Sequence, residues 1–432
     1  MNRDDATFDS MGLNESLLRT IRNKKFTQPT PIQAETIPQA LAGRDILGCA
    51  QTGTGKTAAF ALPIIQRLQT GKPAKGSRPI RSLIVAPTRE LAAQIGQALG
   101  EFSRKTGLRH TVIFGGVNQR KQCTELRRGV DILVATPGRL LDLANQGKLK
   151  LSRVEILVLD EADRMLDMGF LPDIRRIMKL VPDQRQTLLF SATMPKEIKK
   201  MSGQLLDDPF TVTIAPETPA ADTVRQQVQF VQNPEKMTAL KDILACPSVT
   251  KAIVFARTKR RADKIARQLD RASIAAAAMH SNKSQNQRRR TLGQLKSGAL
   301  RVLVASDIAS RGIDVSDISH VFNYDMPNDA ETYVHRIGRT GRAGTEGRAV
   351  SFCSSEEVAL LSDIEKLLTR ELPIRGNQPR PAEGSGTTAR PGRSRGKRSK
   401  NRNSSSNRSS NSGARTGSRP RNGRRRRQLA TS

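Results

Sequence analysis

The 432-residue sequence is poor in aromatic residues, in cysteine and in long apolar runs. It has no tryptophan, and the aromatic residues together make up 3%. Its four cysteines are far apart and form no CxxC pair, so neither a zinc site nor a disulfide framework is indicated. No run approaches the roughly 18 apolar residues of a membrane span, and the N-terminal MNRDDATFDS lacks the apolar segment of a signal peptide. These absences predict a cytoplasmic protein that has no membrane partner.

Acidic residues are scarce relative to basic ones. Lysine and arginine number 73 against 40 aspartates and glutamates, so the net charge is +33. Residues 374–432 hold 17 basic residues and one acid, Glu383, which leaves an excess of similar size on the rest of the chain. Such a balance indicates a polyanionic partner, and nucleic acid is the leading candidate.

Residues 374–432 consist mainly of Arg, Ser, Asn, Gly and Pro and contain no aromatic residue. A segment of this composition buries too little apolar surface to order itself, so a disordered basic tail is predicted. Its arginines can neutralise phosphates but provide no ring for base stacking, so its binding should be loose and strongly salt-dependent. A solvated spacer is the alternative interpretation.

Apolar runs alternate with helical stretches in both halves of the chain. Examples are DILGCA, SLIVAP and EILVLD in the first half, and KAIVFA and RVLVAS in the second. Near-continuous apolar strands between helices are typical of parallel sheets covered on both faces, so an α/β fold is predicted twice. The Pro- and Thr-rich segment around residues 213–223 indicates a linker. The predicted domains are therefore 1–212 and 224–373, followed by the tail at 374–432.

Most of the predicted strands end in a small, polar or charged motif, which is where ligands bind in open α/β sheets. AQTGTGKT, from Ala50 to Thr57, has the form of a phosphate-binding loop between a strand and a helix. In such a loop Lys56 reaches the outer phosphates and Thr57 offers a hydroxyl to magnesium. A chance GKT in an ordinary loop is the alternative.

Three acids follow the apolar run ILVL in the segment ILVLDEADRML. Asp160, at the end of the strand, is suited to hold magnesium through water, and Glu161 to orient or deprotonate an attacking water. A divalent cation would offset the repulsion between the carboxylates. The alternative is that the acids only stabilise the first turn of a helix.

Six motifs occur in a fixed order: PTREL from Pro87, TPGR from Thr136, DEAD from Asp160, SAT from Ser191, RGID from Arg311 and HRIGRTGR from His335. This set resembles the signatures of DEAD-box RNA helicases, and the resemblance covers roughly residues 8–350. It implies two tandem RecA-like domains, ATP and Mg²⁺ as cofactors, and RNA, single-stranded or in short duplexes, as the partner. The family separates duplexes locally, by gripping one strand in a bent form.

The resemblance also implies roles for individual residues in the nucleotide site. Phe26 would stack on adenine and Gln33 would read its edge, because an amide offers both a donor and an acceptor. The family often has glycine before this aromatic residue, whereas this sequence has Lys25. The remaining nucleotide contacts would come from Ala50, Gln51, Thr52, Gly53, Thr54, Gly55, Lys56 and Thr57 in the loop, and from Gly312 and Asp314.

Residues for catalysis, and for coupling between the two RecA-like domains, or lobes, complete the implied site. The catalytic residues would be Lys56, Glu161 and two arginine fingers, Arg339 and Arg342, which the second lobe inserts when the cleft closes. Asp163 would communicate with Ser191, Thr193 and His335. The alternatives are that HRIGRTGR is only a basic surface, above all at Arg336, and that the residues of SAT are ordinary turn formers.

The implied RNA contacts occur in both lobes, and Ser306 replaces a threonine that is common in the family. Each of these residues also has an ordinary structural explanation, as a helix cap, a turn or a solvated charge. The competing functions are a DNA-directed ATPase and an RNA-binding or annealing protein. Ribosomal and messenger-decay ribonucleoproteins both remain open as substrates. The RNA set is Pro87, Thr88, Arg89, Gly115, Gly116, Thr136, Arg139, Arg257, Gln285, Arg288, Ser306 and Asp307.

Overall fold

The computed structural model describes residues 6–51, 53–70, 78–214, 224–307, 315, 317–341 and 346–375. The first sheet is built from strands that run parallel in the order β3-β4-β2-β5-β6-β1-β7. Its strands are β1 (Ile46–Cys49), β2 (Ser82–Val85), β3 (His110–Ile113), β4 (Ile132–Ala135), β5 (Ile156–Leu159), β6 (Gln186–Ser191) and β7 (Phe210–Thr213).

Helices cover both faces of this sheet, after a short 3-10 helix at Phe8–Met11. They are α1 (Glu15–Asn23), α2 (Pro31–Leu41), α3 (Lys56–Thr70), α4 (Arg89–Phe102), α5 (Gln119–Arg127), α6 (Pro137–Asn145), α7 (Ala162–Asp167), α8 (Leu171–Met178) and α9 (Lys196–Leu205).

The second sheet repeats the first in its strand order and is also parallel, β10-β11-β9-β12-β13-β8-β14. Its strands are β8 (Val224–Phe230), β9 (Ala252–Phe255), β10 (Ala276–Met279), β11 (Val302–Ala305), β12 (His320–Asn323), β13 (Gly347–Cys353) and β14 (Ile374–Arg375). Its helices are α10 (Lys236–Leu244), α11 (Lys259–Asp270), α12 (Gln285–Lys296), α13 (Ala330–Ile337) and α14 (Val358–Leu368), with a 3-10 turn at Ser355–Glu357.

The apolar runs fill a core on each face of the first sheet. Alternate residues of β2 point to opposite sides: Ile84 packs in one cluster, and Leu83 and Val85 pack in the other. A strand buried on both sides needs apolar residues at consecutive positions, because side chains alternate between the faces. The predicted α/β architecture with two helix-covered parallel sheets is confirmed.

The ordered fold extends slightly beyond the predicted boundaries. Thr213, assigned to the linker, is the last residue of β7, and β8 begins at Val224. Ile374 and Arg375, assigned to the disordered tail, form β14 and pair with residues of β8. The start of the tail at residue 374 is therefore wrong by two residues, because the sheet edge offers backbone partners that composition does not reveal. The rest of the tail lies outside the described residues.

Candidate active site and nucleic-acid cleft

The phosphate loop connects β1 to α3, as its sequence predicts. Gly53 and Gly55 both have φ of 94°, a conformation that side-chain-bearing residues rarely adopt. The Lys56 ammonium is buried and donates to the Ala50 carbonyl at 2.7 Å. The hydroxyl of Thr54 donates to the Gln51 carbonyl at 2.8 Å. Thr57 follows in the first turn of α3, and Thr52 lies outside the described residues. The described part of the loop is thus preorganised by its own hydrogen bonds.

Gln33 ties the N-terminal helices to the phosphate loop. Its side-chain oxygen accepts from the Thr30 backbone N–H at 3.1 Å, and its amide nitrogen donates to the Gly55 carbonyl at 3.1 Å. A Cβ at Gly55 would lie 2.3 Å from that nitrogen, so only glycine allows this close approach. The reading of adenine by Gln33 stays a prediction.

Phe26 presents an exposed ring near the same helices. The ring is 39% exposed and packs edge-on against Phe102, with 6.4 Å between centroids. Lys25, the residue that departs from the family pattern, has φ of 58°. Glycine adopts this left-handed conformation without the steric cost that a Cβ incurs, which gives a physical reason for glycine at this position.

Three buried carboxylates occupy the start of α7. Asp160 is 2% exposed, and burial raises its pKa to about 6, a shift that Glu161 and Asp163 reinforce and that Lys56 opposes. Its Oδ1 accepts from the Glu161 backbone N–H at 3.0 Å. Glu161 itself has φ of 55°, a strained value for a residue with a side chain. The ionised form of Asp160 is therefore held at a cost in free energy that a nearby cation would relieve.

Arg164, which the sequence reasoning missed, neutralises one of these acids. Its Nη1 donates to Glu161 Oε2 at 2.5 Å, and both side chains are buried. The spacing of three residues within a helix would have been the signal for this pair. Arg164 also lines a small cavity together with His335 and Arg339 of the second lobe.

Asp163 holds the SAT segment through one carboxylate oxygen. Oδ2 accepts from the backbone N–H groups of Ala192 at 3.0 Å and Thr193 at 2.9 Å, and from the Thr193 hydroxyl at 3.0 Å. The Ser191 hydroxyl accepts from the Asp163 backbone N–H at 3.2 Å and donates to the Thr193 carbonyl at 2.7 Å. The structure therefore brings the end of β6 and the start of α7 together as one hydrogen-bonded unit.

His335, near the end of α13, lies close enough to Asp163 and Arg164 for their charges to affect its pKa. Burial lowers the pKa of His335, the Arg164 guanidinium lowers it further, and Asp163 opposes the shift. Arg339 is buried and donates from Nε to the His335 carbonyl at 3.2 Å. The predicted residues Gly312, Asp314 and Arg342 lie outside the described residues.

Arg336 is not part of a basic surface, which corrects one of the two interpretations of HRIGRTGR. It is 2% exposed, and its Nε and Nη2 donate to the two carboxylate oxygens of Asp307 at 2.6 and 2.8 Å. Its Nη1 donates to Asn323 Oδ1 and to the Asp325 carbonyl. This bidentate pair between a buried arginine and a half-buried aspartate fixes the start of the segment after β11, so Asp307 already has a structural partner.

A cleft of about 350 Å³ brings together predicted RNA contacts from both lobes. Thr88 caps α4 through its side chain, whereas Thr136 at the start of α6 makes no such bond, and Pro137 follows it. The residues of the RNA set that line the cleft are Pro87, Thr88, Arg89, Gly115, Thr136, Arg139 and Arg288. Several are cationic or offer hydroxyl and N–H donors, so the cleft can accept an anionic backbone.

Glu90, a second residue missed from the sequence, joins the lobes inside this cleft. Its Oε1 accepts from Gln285 Nε2 at 3.1 Å and from Arg288 Nε at 2.9 Å. All three side chains are buried or nearly so. The two RNA candidates of α12 are therefore positioned by a carboxylate on α4.

The remaining RNA candidates have other surroundings. The Arg89 guanidinium lies against Gly116, where a Cβ would come within 2.1 Å of Nη1. Arg257 donates to Glu357 Oε1 at 2.8 Å. Ser306 follows β11, and its backbone N–H donates a hydrogen bond to the Met279 carbonyl. For these residues, as for those that line the cleft, a role in RNA binding stays a prediction.

Two negative findings hold for the part of the chain that the structure describes. No helix there has both the length and the apolar character to cross a membrane. No three His, Cys, Asp or Glu side chains converge as metal ligands within those residues. The predicted magnesium ligands Thr57 and Asp160 are therefore not part of a three-ligand protein cage among the described residues.

Comparison with known proteins gives matches over most of the chain. Residues 30–201 match the model for DEAD/DEAH box helicases, and residues 235–344 match the helicase conserved C-terminal domain. The chain is 44% identical to the ATP-dependent RNA helicase CshA of Limosilactobacillus reuteri, covering 85% of this chain and 73% of the relative. It is 43% identical to the DEAD-box ATP-dependent RNA helicase CshA of Bacillus cereus, covering 85% of this chain and 69% of the relative.

The fold is similar to that of a solved protein–RNA complex. Saccharomyces cerevisiae Dbp5 bound to RNA and ADP BeF3 superposes with a TM-score of 0.76 at 29% identity, over 85% of this chain and 95% of that one. The repeated strand order of the two sheets and this match together confirm the prediction of tandem RecA-like domains.

Proposed function

The chain belongs to the DEAD/DEAH box helicase family, and we propose that it is an ATP-dependent RNA helicase in which RNA stimulates ATP hydrolysis. Closure of the two lobes would separate or remodel short duplexes and RNA–protein complexes. One observation carries the proposal. Predicted RNA contacts from both lobes line one cleft, at the sheet edge that also bears the phosphate loop and the DEAD segment.

The first lobe would hold the triphosphate. The loop from Ala50 to Thr57 opens α3, whose N-terminus favours negative charge. Lys56 already donates to a loop carbonyl, and a phosphate oxygen is a stronger acceptor for the same ammonium because it is charged. Gln33 would transmit occupancy of the adenine site to the loop, since it is bonded to Gly55.

The residues present fit a magnesium ion. Mg²⁺ is usually held by one or two carboxylates together with substrate phosphates and water, so a cage of three acids is not required. Asp160, whose pKa is raised to about 6 by burial, and the Thr57 hydroxyl would hold it. When bound, the cation would neutralise charge on the outer phosphates.

Glu161 would orient the attacking water and accept its proton. Its carboxylate is paired with Arg164, which fixes its direction and leaves the second oxygen for water. Glu161 also has a left-handed backbone, with φ of 55°, at the position just before α7. Both features support a positioned base.

The second lobe would supply positive charge to the transition state. Arg339 lines a cavity shared with Arg164 of the first lobe, so an arginine of the second lobe already lies beside the DEAD helix. Asp163, which holds SAT and influences His335, would report the state of the nucleotide to the second lobe. Hydrolysis would then require closure, and RNA bound across both lobes would favour it.

The test measures steady-state ATP hydrolysis and release of a labelled strand from a short RNA duplex. We expect RNA to stimulate hydrolysis and single-stranded DNA of the same sequence to stimulate it much less, because 2′-hydroxyl contacts distinguish the two polymers. Stimulation by DNA but not by RNA would reject this function in favour of a DNA-directed ATPase. Hydrolysis without strand release would favour an RNA-binding or annealing protein.

Glu161→Gln provides a sharper version of the test. The variant should bind ATP and RNA as the unmodified protein does but turn over at least 100-fold more slowly, a typical loss for a general base. Glu125→Gln, at an exposed residue, is the matched control and should hydrolyse normally. Normal turnover by Glu161→Gln would refute its assignment.

The compartment and the substrates belong to the same proposal. A cytoplasmic location is supported by four free cysteines without a disulfide, as expected in a reducing environment. Ribosomal and messenger-decay ribonucleoproteins are both candidate substrates. Crosslinking to cellular RNA followed by sequencing would distinguish them.

A further inference from the structure

The first lobe has a second groove, at the sheet edge opposite to the nucleic-acid cleft. It has a volume of about 980 Å³ and lies where β2 and β5 begin, next to the end of α5 and the segment after α6. The strands here are parallel, so their starts are separated from their motif-bearing ends by roughly 13 Å for four residues. We call it the back groove and define it by Arg78, Arg81, Arg127, Lys148, Lys150 and Arg153.

The charge of the back groove is strongly one-sided. Among the residues that the structure describes, six basic side chains line it, and Glu155 is the one acid. Like charges brought together repel one another, and a concave surface with one sign of charge concentrates counterions. Such a lining is stabilised by an anionic ligand.

Two of the six cations are already compensated. Arg78 pairs with Asp131 at 2.9 Å and also donates to the Gly107 carbonyl at 2.8 Å. Arg81 donates to both carboxylate oxygens of Glu155, at 2.6 and 3.1 Å. These two arginines are therefore compensated by carboxylates and contribute little net charge to the groove.

The other four cations are available to a ligand. The side chains of Arg127, Lys148, Lys150 and Arg153 are exposed and make no hydrogen bond or ion pair with the residues that the structure describes. Lys148 and Lys150 lie on a short connection after Gly147, whose φ of 65° turns the chain. Four unpaired cations on one concave surface match a ligand with several regularly spaced negative charges.

The chemistry of the lining indicates phosphates without base recognition. None of the described residues that line the groove is aromatic, so they offer no platform on which a base could stack. Flexible lysines and arginines at an exposed surface bind phosphates as point charges and carry no sequence information. The apolar lining residues Ile80, Leu149 and Val154 are buried in the core, so a peptide would find few side-chain pockets.

We propose that the back groove binds the phosphate backbone of RNA that flanks the segment held in the nucleic-acid cleft. The proposal rests on the proposed function, because that function places RNA on the same lobe. A flanking stretch of a bound molecule is present at high effective concentration, so even weak phosphate contacts raise the affinity for long RNA. An acidic peptide lacks this advantage and is the competing occupant.

The experiment compares the full chain with a variant in which Arg127, Lys148, Lys150 and Arg153 are all replaced by glutamine. Affinities are measured by fluorescence anisotropy with single-stranded RNAs of about 10 and about 40 nucleotides, at several salt concentrations. The matched control replaces Arg175, Lys179, Lys199 and Lys200 by glutamine, because these are also exposed, lie on the same lobe and do not line the groove.

We expect the groove variant to bind the long RNA about tenfold more weakly, with a salt slope lower by about 3, or about 0.7 per lost phosphate contact. Its affinity for the short RNA and its ATPase rate with saturating short RNA should stay within about twofold of the control. Equal affinities of the groove variant and the control for long RNA would overturn the proposal, as would an equal loss for the short RNA.

Two further measurements distinguish RNA from an acidic protein segment as the ligand of the back groove. In the unmodified protein, long but not short RNA should protect Lys148 and Lys150 from acetylation, which tests the groove without any substitution. Loss of polyglutamate binding in the groove variant, with long-RNA affinity unchanged, would assign the groove to an acidic protein segment instead. If RNA does not stimulate ATP hydrolysis by the unmodified protein, the proposed function is rejected. If stimulation is normal but the groove variant binds long RNA as tightly as the control, only the proposed role of the back groove is rejected.

Discussion

Replacing Asp160 by asparagine should stabilise the free protein and at the same time weaken its binding of a magnesium–nucleotide complex. Asp160 is buried, and its pKa rises from 3.8 to about 6 in the folded protein. Between these two values the folded state binds more protons than the unfolded state, so stability falls as the pH rises through this window. Above pH 6 the ionised carboxylate lowers the free energy of unfolding by about 3 kcal/mol.

Asparagine removes this penalty and keeps the local geometry. Its side-chain oxygen can still accept the hydrogen bond from the Glu161 backbone N–H. At pH 7.5 we therefore expect Asp160→Asn to raise the free energy of unfolding by up to about 3 kcal/mol, and at pH 5 by about half as much, because the aspartate is then largely protonated in the folded state.

The assay is urea denaturation at pH 7.5 and pH 5, followed by circular dichroism. Asp183→Asn, at an exposed position, is the control and should change stability by less than about 0.5 kcal/mol at both pH values. A magnesium–nucleotide complex should then raise the midpoint of the unmodified protein but not that of Asp160→Asn. An Asp160→Asn protein no more stable than the unmodified one at pH 7.5, or a gain that is the same at both pH values, would refute the reasoning.

Three other predictions follow from single features of the fold. Lys25→Gly should raise the free energy of unfolding by about 0.5–1 kcal/mol, because Lys25 has φ of 58°. The control Arg19→Gly, within α1, should lower it by about 1 kcal/mol. A Lys25→Gly protein that is less stable than the unmodified one in thermal denaturation would contradict this. Arg336→Ala should cost about 2–3 kcal/mol in urea denaturation, because the half-buried Asp307 loses its bidentate partner and the Asn323 side chain loses a donor. A cost below about 1 kcal/mol would show that the pair is dispensable. Deletion of residues 376–432, which spares β14, should weaken RNA affinity and reduce its dependence on salt concentration, without loss of ATPase activity at saturating RNA. Complete loss of ATP turnover would contradict the separation of RNA affinity from catalysis.

The positions of the phosphate loop and of the DEAD segment at strand ends could be predicted from the sequence because their determinants are local. The loop from Ala50 to Thr57 requires glycines, a lysine and a hydroxyl at fixed spacing, and these are visible without any fold. Asp160 and Glu161 follow directly after an apolar strand, which places them at the ligand-binding edge of a parallel sheet. Both sheets were predicted for the same reason, since strands buried on two faces require unbroken apolar runs.

The partners of the charged residues were decided by the tertiary structure. Sequence alone left Arg336 between a surface and a functional role, because its carboxylate partner, Asp307, lies 29 residues away on another segment. Glu90 went unnoticed because Gln285 and Arg288 lie almost 200 residues later and meet it only where the two lobes touch. Composition and spacing determine which charges a chain carries and where its strands begin. Which charges neutralise each other depends on the spatial order of the strands in each sheet. The four cations of the back groove that have no ion-pair partner among the described residues became visible only once that order was known.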